Sequence, residues 1–321
     1  MPQKQRGAAL LMALIIVTVI STLAVSMIWQ QWRAVQVEAA ERGRQQSAWI
    51  LTGALAWSRI ILKEDARPNN PDKTDNLGEP WAVPLAEARL STFLAADKDN
   101  TDDAPEAFLS GQITDAQSRF NLSNLVEASD NAPPQYSLKH KLAFERLCGH
   151  LNLSVTVAQQ ISKGMLESSP QYANAANPPL RPASLSQLTW FGVDEKTIKR
   201  LEPYVVILPT KAATLVNVNT ASREVIAAVT GADLATAESL VQMRQRTHFK
   251  SPQDAATQLR RGNDKLNSDM LDIKSDFFIV SGKLRLNNQV LEQRSLVRRR
   301  FPSDRDVTSL SREWVNSTEP G

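Results

Sequence analysis

Hydrolysis at one peptide bond is the chemistry the N-terminus invites. Lys4 and Arg6 are followed by Gly7, and then by residues 8–29, which carry no formal charge. A cut between Gly7 and Ala8 removes the basic leader and leaves the apolar run on the chain. An ordinary secretory signal has its small-residue cleavage site on the other side of the apolar region. A second candidate is Asp97-Lys98-Asp99-Asn100-Thr101-Asp102-Asp103, where Asp97, Asp99, Asp102 and Asp103 offer the hard oxygens that calcium takes. The loop lacks the glycine and the closing glutamate of an EF-hand, so a calcium loop and a solvated acidic loop both remain open readings. His140, His150 and His248 show no metal-ligand spacing with one another or with Cys148. Neither a Gly-x-Ser-x-Gly elbow nor a phosphate-cradling glycine loop is present. No catalytic or cofactor-binding residue is expected, and the chain reads as a structural protein rather than an enzyme.

These candidates must be positioned by larger elements. At ~1.5 Å per residue, the run 8–29 is long enough to cross a bilayer as a helix. Lys4 and Arg6 keep its short end in the cytoplasm, with the rest exported. No proline interrupts the pattern until Pro68, so the helix is expected to continue through residues 30–63 with Trp49, Gly53, Ala56, Ile60 and Lys63 at helical spacing. Gly43 and Gly53 weaken it by roughly 1 kcal/mol each and mark places for a bend or close packing.

The 321 residues suggest about two domains beyond the anchor. A hydrophobic fraction of 42% and 7 tryptophans suffice for real cores, and a net charge of +3 does not argue for a nucleic-acid binder. Arg298-Arg299-Arg300 reads as a solvated strand end. Cys148, the lone cysteine, lies among Phe144, Leu147 and Leu151 and reads as a small core residue. Residues 64–118 are rich in Pro, Asp and Asn, with one short strand at 108–113. Residues 120–273 read as helices joined by short loops. Phe278, Val280, Leu284 and Leu286 alternate, and after Asn287-Asn288-Gln289 a second run, 290–297, completes a β-hairpin. A hairpin is marginal alone and needs the early strand and the long helix to pack on.

Leu215-Val216-Asn217-Val218-Asn219-Thr220-Ala221 opens a pattern that continues through Val229-Thr230-Gly231-Ala232-Asp233 to Phe249-Lys250-Ser251-Pro252. It resembles the helix-hairpin-helix module of DNA-uptake receptors, with Thr220 or Asn219 as the expected N-cap before Arg223-Glu224. A fainter copy precedes it, with Phe120-Asn121-Leu122 as entry and Arg181-Pro182-Ala183-Ser184-Leu185 as exit. The DNA-binding form needs a glycine where Asp233 stands, and Cys148-Gly149-His150-Leu151-Asn152-Leu153 also lacks the glycine pair. Protein packing is therefore preferred to DNA binding, and a membrane-anchored DNA-uptake receptor is the alternative.

The leader, Gly7 and the long helix resemble a type IV prepilin. Pilins carry a glutamate at the fifth mature position, and here that position is Met12. The departure resembles the minor pseudopilin K (GspK) family of the type II secretion system, whose members lack that glutamate. Asp75…Gly78-Glu79-Pro80-Trp81, Ile113-Thr114-Asp115-Ala116-Gln117-Ser118-Arg119-Phe120-Asn121-Leu122 and Leu201-Glu202-Pro203-Tyr204 extend the likeness.

The resemblance implies an α+β fold: a pilin-like long N-terminal helix on a small antiparallel sheet, with a large inserted all-α domain of tandem helix-hairpin-helix (SAM-like) modules. The expected organisation is a leader (1–7), a transmembrane half-helix (8–29), the first part of a pilin-like domain (30–118), the insert (119–273), a C-terminal hairpin (274–300) and a polar tail (301–321). It also implies that a prepilin peptidase cuts between Gly7 and Ala8 and methylates Ala8. The subunit would then join minor pseudopilins I and J, with H and the major pseudopilin G below, and cap the pseudopilus tip. It would be a single-pass inner-membrane protein, N-terminus cytoplasmic and bulk periplasmic, with no nucleic-acid partner. Calcium is reported in pseudopilins, which adds to the case for the acidic loop.

Overall fold

A computed structural model describes residues 6–67, 73–90, 107–129, 132–170, 172, 178–210, 212–258, 268–286, 289–300 and 306–315. Helix α1 (Arg6–Asp65) forms without a break through Gly43 and Gly53 and stops ahead of Pro68, as the absence and then presence of proline require. Its second half lies on a sheet through Ser47, Leu51, Leu55 and Leu62. This is not the stripe suggested by Trp49 and Ile60, since Trp49 is 76% exposed. The helix is apolar on several sides there, so the sheet, not the periodicity, selects the buried face.

Two strands precede the insert, β1 (Leu85–Arg89) and β2 (Ala107–Asp115). The insert contains β3 (Phe120–Asn121), β4 (Val126–Ser129), β5 (Ala132–Tyr136), α2 (Leu138–His150), α3 (Val155–Glu167), α4 (Glu195–Leu201), β6 (Val205–Val206), β7 (Val216–Asn217), α5 (Arg223–Thr230), α6 (Leu234–Arg246), α7 (Pro252–Gln258) and β8 (Leu271–Asp272). Three long strands close the chain: β9 (Phe277–Leu286), β10 (Gln289–Arg299) and β11 (Val307–Val315). They join the first two in an antiparallel sheet of order β1-β2-β9-β10-β11. The expected α+β arrangement is present.

Two expectations change. The polar tail 301–321 contains a strand, because β11 pairs with β10 along the edge that β10 would otherwise leave open, and Val307 joins the core. Strand β1 is formed by Leu-Ala-Glu-Ala-Arg, residues of good helix propensity, and pairing with β2 overrides that preference.

On the α1 side of the sheet, Leu55, Leu62, Trp81, Phe278, Val280, Val297 and Val307 form one core cluster. Trp81 is 2% exposed and meets Phe278 edge to face at 5.2 Å, the anchor role read for it. Gly282 lies opposite Gly111 on β2, and a Cβ on Gly282 would stand 3.0 Å from Leu51 Cδ2. A glycine there lets α1 approach β9 closely. On the other face, Phe277 and Ile279 pack with Ala116, Val206 and Leu208 of the insert.

β2 and β9 are antiparallel neighbours, with Asp115 opposite Phe278. The whole helical domain thus stands where a hairpin turn would join two adjacent strands. Its core gathers Phe144, Leu147, Ile161, Met165, Val225, Ile226 and Leu240 with the buried Cys148. The internal repeat is visible in the backbone, since β3 pairs parallel with β6 and β7 parallel with β8. Each module is closed by an asparagine: Asn121 Oδ1 accepts from Leu208 N at 3.0 Å, and Asn219 exchanges two 2.9 Å bonds with the backbone of Phe249. With Asn219 and Thr220 occupied elsewhere, Ser222 is the N-cap of α5, accepting from Val225 N, which corrects the expected cap.

Candidate functional site

The first candidate is the free half of α1. Gly7 and Ala8 lie in its first turn. From Ala8 through Val37 every residue is exposed, and the first acidic residue is Glu38. Met12 is 65% exposed on this surface. Thr18 and Thr22 donate their hydroxyls to Ile15 O at 2.8 Å and Val19 O at 2.9 Å, so neither presents an unmet donor to an apolar environment. At the end of the run Arg33 lies over the Trp29 ring, 4.2 Å from its centroid. The helix is long and apolar enough to cross a membrane. Asp97, Asp99, Asp102 and Asp103 lie outside the described residues.

The second candidate is a buried polar junction where insert, sheet and helix meet. Asp115, at the end of β2, accepts from Thr220 Oγ1 at 2.5 Å, Ser275 Oγ at 2.7 Å and Asn217 Nδ2 at 2.9 Å, while its other oxygen accepts from Gln117 N at 2.7 Å. Asn217 also donates to Asp75 O at 2.9 Å, and Ser275 N donates to Asp75 Oδ2 at 2.7 Å. One carboxylate thus ties both sheet exits of the insert to its second module. Burial pushes the Asp115 carboxyl up to about 6, against the hydrogen bonds from Thr220 and Ser275.

Arg299 closes the junction from β10. It donates to Asp65 Oδ2 at 2.7 Å, to Asp75 Oδ1 and to Ser275 O at 3.0 Å, and its guanidinium lies over the Phe278 ring at 4.7 Å. Its side chain is 4% exposed. The reading of Arg298-Arg299-Arg300 as a solvated end is wrong for the middle residue: strand alternation turns it into the junction, where buried carboxylates wait. Asp65, Asp75 and Glu79 offer oxygens within 4.8 Å of one another, the one carboxylate group of metal-holding geometry among the described residues, and Arg299 supplies the positive charge there. Burial, then the charge of Asp65, pushes Glu79 up to about 8.

The helix-hairpin-helix tip is filled by protein groups. Gly231 takes φ +79° after α5, and Asp233 caps α6 by accepting from Thr236 N at 2.7 Å. The α6 N-terminus is therefore occupied by a carboxylate where a phosphate would sit. Arg146 Nε donates to Ala228 O at 2.8 Å from the neighbouring α2. Arg244 turns inward, donating to Val218 O and Ala221 O at 2.6 Å each, and burial lowers it to about 10. Burial likewise pushes the Cys148 thiol up to about 12 and, with Lys139, His140 down to about 4. His140 Nδ1 pairs with Ser137 Oγ at 2.9 Å. These are core groups, and neither offers a nucleophile or a metal ligand.

Asp75, Asp115 and Asn217 stand in the sequence motifs quoted above, but nothing in those motifs marks them as partners, Ser275 carries no sequence signal, and Arg299 reads from sequence as solvated. They meet only through long-range register.

Two family models match the insert, both described as "Type II secretion system (T2SS), protein K", over residues 118–210 and 216–274. The protein named "Type II secretion system protein K" from Pseudomonas aeruginosa is 27% identical over 310 residues, 90% of this chain and 87% of the relative. The one from Pectobacterium carotovorum is 28% identical over 323 residues, 92% and 93% of the two chains. The one from Klebsiella pneumoniae is 27% identical over 326 residues, 93% and 94%. Among solved structures, a chain of the GspK-GspI-GspJ complex of the enterotoxigenic Escherichia coli type 2 secretion system shares the fold. Its TM-score is 0.64 at 19% identity, covering 87% of this chain and 99% of that one.

Proposed function

This chain belongs to the type II secretion system protein K family, and on that premise we propose that it caps the tip of the pseudopilus and helps to start its assembly. In that role it supports protein export across the outer membrane as a structural subunit, not an enzyme. What carries the reading is the inserted domain, a folded body set between adjacent strands β2 and β9 on the sheet face away from α1. Such bulk suits the end of a filament, where no further subunit has to stack above it.

Met12 supports the same role. In shaft subunits a glutamate at that position is thought to neutralise the terminal amine of the subunit above. An unpaired carboxylate in hydrocarbon costs several kcal/mol, so a tip subunit is better without one. The leader is removed by prepilin peptidase between Gly7 and Ala8, and Ala8 is methylated. The mature helix sits in the inner membrane with its N-terminus cytoplasmic, and the remaining chain is periplasmic. The solved relative was crystallised with GspI and GspJ, which supports minor pseudopilins I and J as direct partners, with H and the major pseudopilin G below.

The full chain, co-expressed with pseudopilins G, H, I and J from the same source, tests this. Antibody against the insert should label one end of sheared filaments, and mass spectrometry should find a methylated N-terminus at Ala8. Label distributed along the shaft would overturn the tip role, and a retained leader in secreting cells would overturn the processing.

A further inference from the structure

On the sheet face away from α1, a cleft of about 410 Å³ separates the strands from the inserted domain. Ile279 and Leu296 line the strand side. Three charged groups lie within it, Arg119, Glu202 and Arg294, while Lys199, Glu195 and Glu313 stand at its exposed lip. Arg294 Nη1 donates to Glu202 Oε1 at 2.6 Å, and Lys199 pairs with Glu195 at 2.9 Å. The Arg119 side chain is half-buried and makes no hydrogen bond or ion pair among the described residues, its backbone N–H alone donating to Ala116 O at 3.3 Å. Burial, then the charge of Arg294, draws its pKa down, while Glu202 and Asp115 oppose from beyond bonding distance. A guanidinium carries five N–H donors, and taking it out of water unmatched is costly.

We propose that this cleft binds a carboxylate of an extended polypeptide, one aspartate or glutamate side chain held on the Arg119 fork. Charge selects the ligand. Glu202 cancels Arg294, so the interior is left with one positive charge, which a single carboxylate neutralises and a phosphate dianion would exceed beside Glu202 and Glu313. A planar carboxylate also matches the guanidinium with two parallel hydrogen bonds. Topology selects the form of the partner. Ser311 and Glu313 at the cleft belong to β11, the last strand of the sheet, whose far edge has no pairing strand among the described residues. An extended segment adding to that edge is held by main-chain hydrogen bonds while one side chain enters the cleft. The proposal stands on the cleft alone, and its failure would leave the tip role untouched.

Fluorescence anisotropy on the full chain in detergent micelles, with a labelled and terminally blocked tetraglutamate peptide, tests it. Saturable binding is expected, and the tetraglutamine peptide should not bind. Arg119→Gln should weaken binding at least about tenfold, whereas Arg246→Gln, at an exposed helix position, should not change it. Thr189→Trp places bulk at the exposed wall without touching the charge, and should also abolish binding. It covers the case in which Arg119→Gln does not fold. Absence of saturable binding by the natural chain, undiminished binding by either variant, or displacement by inorganic phosphate at lower concentration than by glutarate would overturn the proposal.

Discussion

Replacing Arg299 by Met tests whether the buried junction holds the domain together. Methionine keeps most of the apolar stem over Phe278 but removes the charge shared by Asp65 and Asp75, whose side chains are 10% and 3% exposed. Breaking a buried pair by removing one partner costs about 3–5 kcal/mol, because the other charge is left uncompensated. Asp75 keeps its bond from Ser275 N, and burial raises its pKa even against the lowering effect of Arg299. The abandoned carboxyl would take up a proton, so the penalty should be largest near pH 8 and shrink towards pH 5. Urea unfolding of the full chain in mild detergent, followed by tryptophan fluorescence, reads the effect through the buried Trp81 beside Phe278. At neutral pH the midpoint should fall by more than about 1 M. Adding Asp75→Asn should recover part of the loss, leaving the double variant more stable than the sum of the single effects allows. A cost below about 1 kcal/mol for Arg299→Met, or strict additivity with Asp75→Asn, would refute the reasoning.

Glu79 and Asp115 carry carboxyls raised to about 8 and about 6, mainly by burial, so the folded state holds their protons more tightly than the unfolded chain does. Their contribution is complete below the ordinary carboxyl values and is lost as pH rises through about 6 and then about 8. Stability in urea should therefore be lower at pH 8.5 than at pH 5, and Glu79→Gln should flatten the upper part of that decline; the opposite trend would contradict the assignment. Gly282→Leu should drive a side chain into Leu51 and lift α1 from β9, costing roughly 1–3 kcal/mol, with Leu51→Ala relieving part of it in the double variant. The full chain should not shift duplex DNA at about 0.15 M salt, and Asp233→Gly alone should not confer binding, since Arg244 stays committed to Val218 and Ala221; tight binding by either protein would disprove the packing role of the module.

The parts of the fold legible in sequence are those set by neighbours along the chain. The unbroken α1, its end ahead of Pro68 and the β9–β10 hairpin all follow from local pattern. So does the core placement of Trp81 and Cys148. Where several local patterns compete, the reading falters. The helical spacing of Trp49 and Ile60 shows that α1 continues but not which face it buries, because apolar residues occur on more than one side of that helix. Strand β1 looks helical in composition, and β11 looks like a polar tail, because an edge strand with few buried positions lacks the alternation that marks a core strand.

By itself the sequence determined an N-terminal apolar helix with a basic leader, a helical block carrying a doubled motif, and alternating strands at the end. Each is a matter of residue type at short spacing, where steric preference and hydropathy act directly. Only the tertiary structure decided that Arg299 turns inward to Asp65 and Asp75, that Asp115 gathers Thr220, Asn217 and Ser275, and that the Arg119 side chain enters a cleft with no carboxylate bonded to it among the described residues. Those outcomes depend on strand register and on how the insert sits against the sheet. A charged side chain changes from solvated to buried with a one-residue step along a strand, and no local pattern records which face the fold will cover.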